Sequence, residues 1–116
     1  MSDGGKCSFI CPIEAAAEVI GGKWKARILF QLQGGTKRFN ELKRRLPGIT
    51  QRMLTKQLRE LEMDKIVYRN IFPEIPPKVE YSLTEFGQTL NPSLKALQDW
   101  GLEYLDRLAD IRNQNN

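Results

Sequence analysis

The stretch from Thr50 to Asp64 constrains this chain more than any other. Leu54, Leu58 and Leu61 recur at helical spacing and give a helix one apolar stripe. Thr50 is a good N-cap, although Met53 three positions on leaves no full capping box. Gln51, Arg52, Thr55, Lys56 and Arg59 lean toward the N-terminal end, whereas Glu60, Glu62 and Asp64 gather near the C-terminal end. That order reverses the one a helix macrodipole favours, with anions first and cations last. Two readings fit this segment alone. The helix points a positive end at something negative, or it is a solvated amphipathic helix with ordinary surface charge.

Charge elsewhere separates the two readings. The segment from Lys37 to Arg69 holds ten cations and four anions, while the rest of the 116-residue chain is slightly acidic and the total is +4. A basic centre within an acidic remainder points to a face for a polyanion rather than to solubility charge. Histidine is absent, which removes Ser-His, Cys-His and most zinc-site chemistry, and no cofactor or metal is expected. The length suits one domain, and no apolar run approaches the roughly 18–20 residues of a membrane span. Without a signal-peptide h-region either, a cytoplasmic protein with no membrane partner is the expectation.

The flanking segments supply a framework for the central helix. Residues 1–10 read as a flexible N-terminal tail. Pro12 opens a helix at its first position, with Glu14 in the first turn, and Gly21-Gly22 closes it after Ile20. Lys23 to Gln33 reads as a second helix, with Trp24, Ile28, Leu29 and Leu32 on its apolar face. Thr36 to Arg38 is short and extended, and Phe39 to Leu46 is a two-turn helix broken by Pro47-Gly48. That short helix, a tight turn and the helix from Thr50 make a helix-turn-helix unit.

Ile66 to Phe72 and Val79 to Leu83 read as strands, the second with Val79, Tyr81 and Leu83 alternating with Glu80 and Ser82. The connection between them carries Pro73, Pro76 and Pro77, so it is a stiff loop that cannot extend the pairing. Two strands with a stiff loop after a helix-turn-helix describe a winged helix. The fold class is therefore α+β, mainly α, with a two- to three-stranded wing sheet and added N- and C-terminal dimerisation helices.

Thr84 caps the last region, where Phe86, Leu90, Leu94, Leu97, Gly101, Tyr104, Leu105 and Leu108 keep three-four spacing for about six turns. Pro92 is expected to kink this helix or divide it in two. The apolar seam is longer than a winged core needs, so a second copy of the chain is the expected cover. The domain is placed at residues 11–108, followed by a polar C-terminal tail over 109–116.

Several of these motifs together resemble the HxlR-type winged-helix transcriptional regulators. They are Cys11-Pro-Ile, Gly21-Gly-Lys-Trp24, Phe39-Asn-Glu-Leu42, the run from Ile49 to Leu61 and Pro76-Pro-Lys-Val-Glu-Tyr-Ser-Leu-Thr84. Gly87, Pro92 and Trp100-Gly101 fit as well, so the resemblance covers residues 11 to 105. It implies a homodimeric regulator of transcription that binds double-stranded operator DNA, more often a repressor than an activator.

In such a protein the second helix of the unit enters the major groove with its N-terminal residues at the base edges. Gln51, Arg52, Thr55 and Lys56 are assigned to that end, and Arg59 to a base or a phosphate. Lys37, Arg38, Lys43 and Arg44 are assigned to phosphates, and Lys78 to the wing. For any one of these cations the alternative is a solvated surface charge, and the assignment gains weight from the set. Trp24, Phe39, Tyr81 and Trp100 read as core or interface, and Arg69 as the partner of an acid beside the strands.

Cys11 stands just before a helix, where unpaired amides favour a thiolate. The resemblance implies that Cys11 senses a thiol-reactive small molecule or oxidant, with Cys7 a resolving partner or a tail residue. The alternatives are a small half-buried side chain at the dimer interface, and a regulator controlled by a small ligand or a partner protein without redox sensing. A thiol oxidoreductase is disfavoured because Cys7 and Cys11 are spaced C-x-x-x-C, not C-x-x-C, and no histidine base is present. A winged adaptor that no longer binds DNA is disfavoured by the basic end of the central helix.

Overall fold

The computed structural model describes residues 11–115, so the expected tail over 1–10 and Cys7 lie outside the described residues. The three leucines of the central stripe organise the packing. Leu54, Leu58 and Leu61 are at most 1% exposed and sit on one side of helix α4, Gln51–Met63. Thr50 caps α4, its Oγ1 accepting from the Met53 amide at 3.0 Å. The leucines pack with Ile28, Leu29 and Leu32 of α2, Lys25–Leu32, and with Leu42 of α3, Phe39–Arg45. Between α3 and α4 the buried Leu46 and Ile49 pin the turn, and Gly48 there has φ +91°, a backbone angle at which a side chain is strained.

Helix α1 covers Pro12–Ile20 as the sequence predicts, but α2 is shorter than the expected Lys23 to Gln33. Gly22 takes φ +79° and Trp24 becomes the residue before the helix, which turns the chain before α2 can begin. Trp24 still joins the core, and the cations of Lys23 and Arg27 lie 4.9 and 4.7 Å from its ring centroid.

Strand β1 is Lys37–Arg38, β2 is Val67–Phe72 and β3 is Lys78–Leu83. They form one antiparallel sheet in the order β1-β3-β2, so the short extended segment becomes the third strand. Tyr81 at the centre of β3 faces Lys37 across one ladder and Arg69 across the other. The proline-bearing loop joins β2 to β3 beyond the Phe72–Lys78 pair, and Ile75 within it is fully exposed.

Beyond the sheet, Thr84 caps the short helix α5, Glu85–Gln88, accepting from the Gly87 amide at 2.8 Å and donating to the Lys65 carbonyl at 2.6 Å. Gly87 is pressed against the chain entering β2, and a Cβ there would meet the Ile66 carbonyl oxygen at 2.2 Å. Pro92 divides the last region, since it is the second residue of helix α6, Asn91–Asn115. The helix does not stop near Leu108. Residues 109–115, read from the sequence as a polar tail, are helical because nothing in that polar run breaks the turn before Asn115. None of the helices among the described residues is long and apolar enough to cross a membrane.

One ion pair ties α2 to α4. Lys25 Nζ lies 2.7 Å from Glu60 Oε1, and the Lys25 side chain is only 12% exposed. The hydrogen bond from Lys25, more than the surrounding positive charge of Lys25 and Lys56, holds the Glu60 carboxyl below its usual range.

Two outcomes are expected. Gly87→Ala has no room without moving α5 from Ile66, so chemical denaturation should show a loss of about 1–3 kcal/mol, the usual range for overpacking. The lowered Glu60 carboxyl contributes stability that is present above its unfolded value and lost as pH falls through the folded one. Glu60→Gln should therefore lower Tm at pH 7 and have a shrinking effect as the pH falls below the ordinary carboxylate range and through the lowered Glu60 value, beneath which both proteins carry a neutral side chain. An equal Tm difference at pH 7 and pH 3 would remove the ion pair from this account.

Candidate nucleic-acid interface

With its leucines inward, α4 turns a polar face to solvent. Gln51, Arg52, Lys56 and Arg59 are exposed, and Thr55 is partly so. Together with Glu60 these residues line one open concavity along the helix of about 720 Å³. Thr55 spends its hydroxyl proton locally, donating to the Gln51 carbonyl at 2.8 Å, which leaves lone pairs on the oxygen. Lys56 Nζ is 3.9 Å from Glu60 Oε2, whereas Arg52 and Arg59 have no carboxylate within 4 Å among the described residues. A cationic helix face with unsatisfied donors suits polyanions and the acceptor edges of bases.

The cations assigned to phosphates and to the wing divide into three groups. Arg38, Lys43 and Arg44 are exposed on or beside α3, with no carboxylate partner among the described residues. Arg38 and Arg44 line a groove of about 610 Å³ between α3 and the wing loop, which Pro76, Pro77 and Lys78 close on the other side. Lys78 begins β3, but its Nζ lies 3.4 Å from Glu80 Oε2 and 4.6 Å from the Phe72 ring centroid, so its charge is largely engaged. Lys37 stands apart. It is 9% exposed, and its Nζ donates to the Gly35 carbonyl at 3.3 Å, a position poorly suited to a phosphate. The two-residue strand turns Lys37 toward the sheet and Arg38 toward solvent.

Between α4 and the sheet, Arg69 Nε lies 3.2 Å from Glu62 Oε2 beside the buried Tyr81. Burial pushes the Tyr81 phenol up, against the smaller opposing effect of Arg69, so it stays neutral at ordinary pH. This cluster braces the wing against α4. The Lys25–Glu60 pair braces the other flank, and no sequence signal marks it, because its members are 35 positions apart and neither belongs to a motif.

Cys11 is an exposed thiol at the N-cap of α1, where its carbonyl accepts from the Ala15 amide at 3.0 Å. It is remote in sequence from the α4 face and lines none of the concavities described above.

The arrangement is shared with known proteins. Residues 19–109 match the family described as HxlR-like helix-turn-helix. The chain is 55% identical to the uncharacterized HTH-type transcriptional regulator YdeP of Bacillus subtilis (strain 168), over 87% of this chain and 79% of that protein. Among solved structures it resembles the redox regulator HypR in its reduced form, at 53% identity and TM-score 0.83, over 86% of this chain and 99% of that one. The oxidized form of HypR aligns at 56% identity and TM-score 0.76, over 80% of this chain and 96% of that one. A winged helix with an outward cationic α4 and this degree of likeness leave one assignment: the chain belongs to the HxlR-like helix-turn-helix family of transcriptional regulators.

Proposed function

We propose that the protein is a homodimeric, sequence-specific DNA-binding repressor that reads operator DNA with α4 and responds to thiol-reactive or oxidative signals through Cys11. The observation that carries the DNA-binding part is the outward face of α4, where Arg52 and Arg59 have no ion-pair partner among the described residues. Gln51, Arg52, Thr55 and Lys56 occupy the N-terminal half that enters a major groove, with Arg59 one turn further on. Arg38, Lys43 and Arg44 contact phosphate beside α3, and Lys78 follows the wing. Lys37 belongs to the proposed set only at its margin, since its burial limits its reach.

The homodimer is supported by apolar surface that one copy leaves open. Phe86, Trp100, Tyr104 and Leu105 are each about half exposed or more, and Trp100 and Tyr104 stack at 5.4 Å. Large exposed apolar side chains of this kind, three of them on α6, support a protein contact. Redox sensing is supported by the exposure of Cys11 and by the likeness to HypR, a redox regulator with reduced and oxidized forms. The protein works on chromosomal DNA in the cytoplasm.

Selection of bound fragments from a genomic library, followed by affinity measurement, tests the DNA-binding part. Arg52→Ala should weaken the selected operator by about 1–3 kcal/mol and relax the base preference at one position, while sedimentation stays that of the native protein. Arg44→Ala should instead weaken all duplexes alike and reduce the salt slope by about one. Unchanged affinity in Arg52→Ala removes it from the base-reading set.

The sensing part is tested by treating the protein with diamide or a quinone and following non-reducing gels beside operator binding. Native protein should change in both, and Cys11→Ser in neither. A Cys11→Ser protein that responds like the native one refutes sensing at this thiol.

A further inference from the structure

A cleft of about 290 Å³ opens where the end of α2, the last residues of β3 and the start of α6 meet. Gln33, the residue after α2, and Asn91, the first residue of α6, both line it. Gln33 Nε2 and Asn91 Oδ1 are buried, and neither has a hydrogen-bond partner among the described residues. One is a donor and the other an acceptor, yet they do not bond each other. A buried polar atom without a partner is costly, and a native structure rarely keeps two in one place. Leu32 and Leu83 supply apolar walls, and no charged residue lines the cleft. It is also separate from the surface assigned to a second copy, since neither α1 nor Phe86, Trp100, Tyr104 or Leu105 lines it.

We infer that this cleft binds an uncharged one-ring amide or lactam, its carbonyl accepting from Gln33 Nε2 and its N–H donating to Asn91 Oδ1. Such a group carries an acceptor and a donor together, which is the complement of the two orphaned atoms. The volume stands just below the roughly 300–1,000 Å³ common for ligand pockets, which limits the body to one ring. It is also about ten times the roughly 30 Å³ share of one water in the liquid, so a single bridging water leaves most of the cleft unfilled. A carboxylate or a phosphate ester is a poor occupant. It brings no N–H for Asn91, and no cation lines the cleft to offset its lost hydration. An ammonium brings no acceptor for Gln33, and a plain hydrocarbon ring leaves both atoms orphaned. The hydroxyls of Thr36 and Ser82 also line the cleft and can donate to or accept from substituents on the ring.

Calorimetric titration of the full chain with 2-pyridone and with benzamide tests the site. N-methyl-2-pyridone keeps the ring and the carbonyl but lacks the N–H, and sodium benzoate puts an anion in place of the amide. One saturable site per chain is expected for 2-pyridone, benzamide or both, with the two controls at least about tenfold weaker. Two variants that make the same chemical change should then diverge. Gln33→Glu exchanges the donor for an acceptor and should weaken 2-pyridone at least about tenfold. Asn91→Asp keeps the acceptor and should bind 2-pyridone at native affinity or tighter. Circular dichroism checks the fold of each variant, and an effect on folding alone would not separate them. The inference fails if neither 2-pyridone nor benzamide saturates a site, which is the behaviour of a cleft that holds only water. It also fails if N-methyl-2-pyridone matches 2-pyridone on the native chain, a comparison that stands whatever the variants do. A folded Gln33→Glu with native affinity overturns it as well, as does an Asn91→Asp that loses as much affinity as Gln33→Glu. None of these readouts depends on an operator, so DNA binding and the amide site stand or fall separately.

Discussion

The rotation of α4 about its own axis is the constraint from which the remaining geometry follows. Leu54, Leu58 and Leu61 are buried against α2 and α3, and burying three leucines contributes on the order of 5 kcal/mol. Slipping the stripe by one residue turns the helix by about 100° and drives Thr55, Arg59 and Glu62 into the core. Burying an arginine and a glutamate in an apolar interior has a desolvation cost that offsets what the leucines contribute, so this rotation does not compete. The outward face is thus fixed by what is buried. The cations of α4 need no contact of their own to be held toward solvent, which leaves Arg52 and Arg59 free to serve a partner.

A buried stripe fixes rotation but not tilt, and tilt is set by contacts on the two shoulders of α4. On one side Lys25 reaches Glu60, and on the other Arg69 of β2 reaches Glu62. Both acids come from the C-terminal half of the helix, where they oppose its macrodipole. Pairing each with a cation from another element turns an unfavourable local charge into an inter-element tie. The charge order that looks odd in the helix alone is therefore satisfied by tertiary structure. The N-terminal half, meanwhile, keeps its cations with few acids nearby.

The sequence made the architecture legible wherever a local pattern and a tertiary requirement coincide. The leucine stripe, the Thr50 cap, Pro12 at a helix start and the alternation around Tyr81 all gave elements that the structure contains. It was less informative where a local pattern is too short to carry a period. Two residues of β1 cannot tell which of Lys37 and Arg38 faces inward, so the burial of Lys37 was not readable. The Lys78–Glu80 pair was readable in principle, since residues two apart share one face of a strand. The sequence does not mark where α6 ends, since the apolar spacing stops at Leu108 while the helix runs to Asn115. A solvent-facing helix needs neither an apolar stripe in its last turns nor a breaker before it ends, and the run to Asn115 has none.

Helix α1 exposes a further consequence of this packing. None of its residues is buried, Ile13 is 76% exposed, and only Val19 and Ile20 at its C-terminal end rest on the core. A helix of nine residues is marginal in water, because nucleation is unfavourable and most helical stability in proteins comes from a packed face. Its N-terminal half therefore depends on contacts beyond the core described, and under the proposed homodimer a second copy supplies them. Cys11 occupies the N-cap position of that half, without a side-chain hydrogen bond to it. Under the proposed sensing role, a bulky adduct or a disulfide at Cys11 would act on a helix with no buried residue, where little free energy is needed to shift its position. The same chemistry at a thiol within the leucine core would have to unfold the reading head first. In the proposed homodimer, a sensor thiol at this N-cap position beside a subunit contact would change the spacing of two reading heads and leave each of them folded.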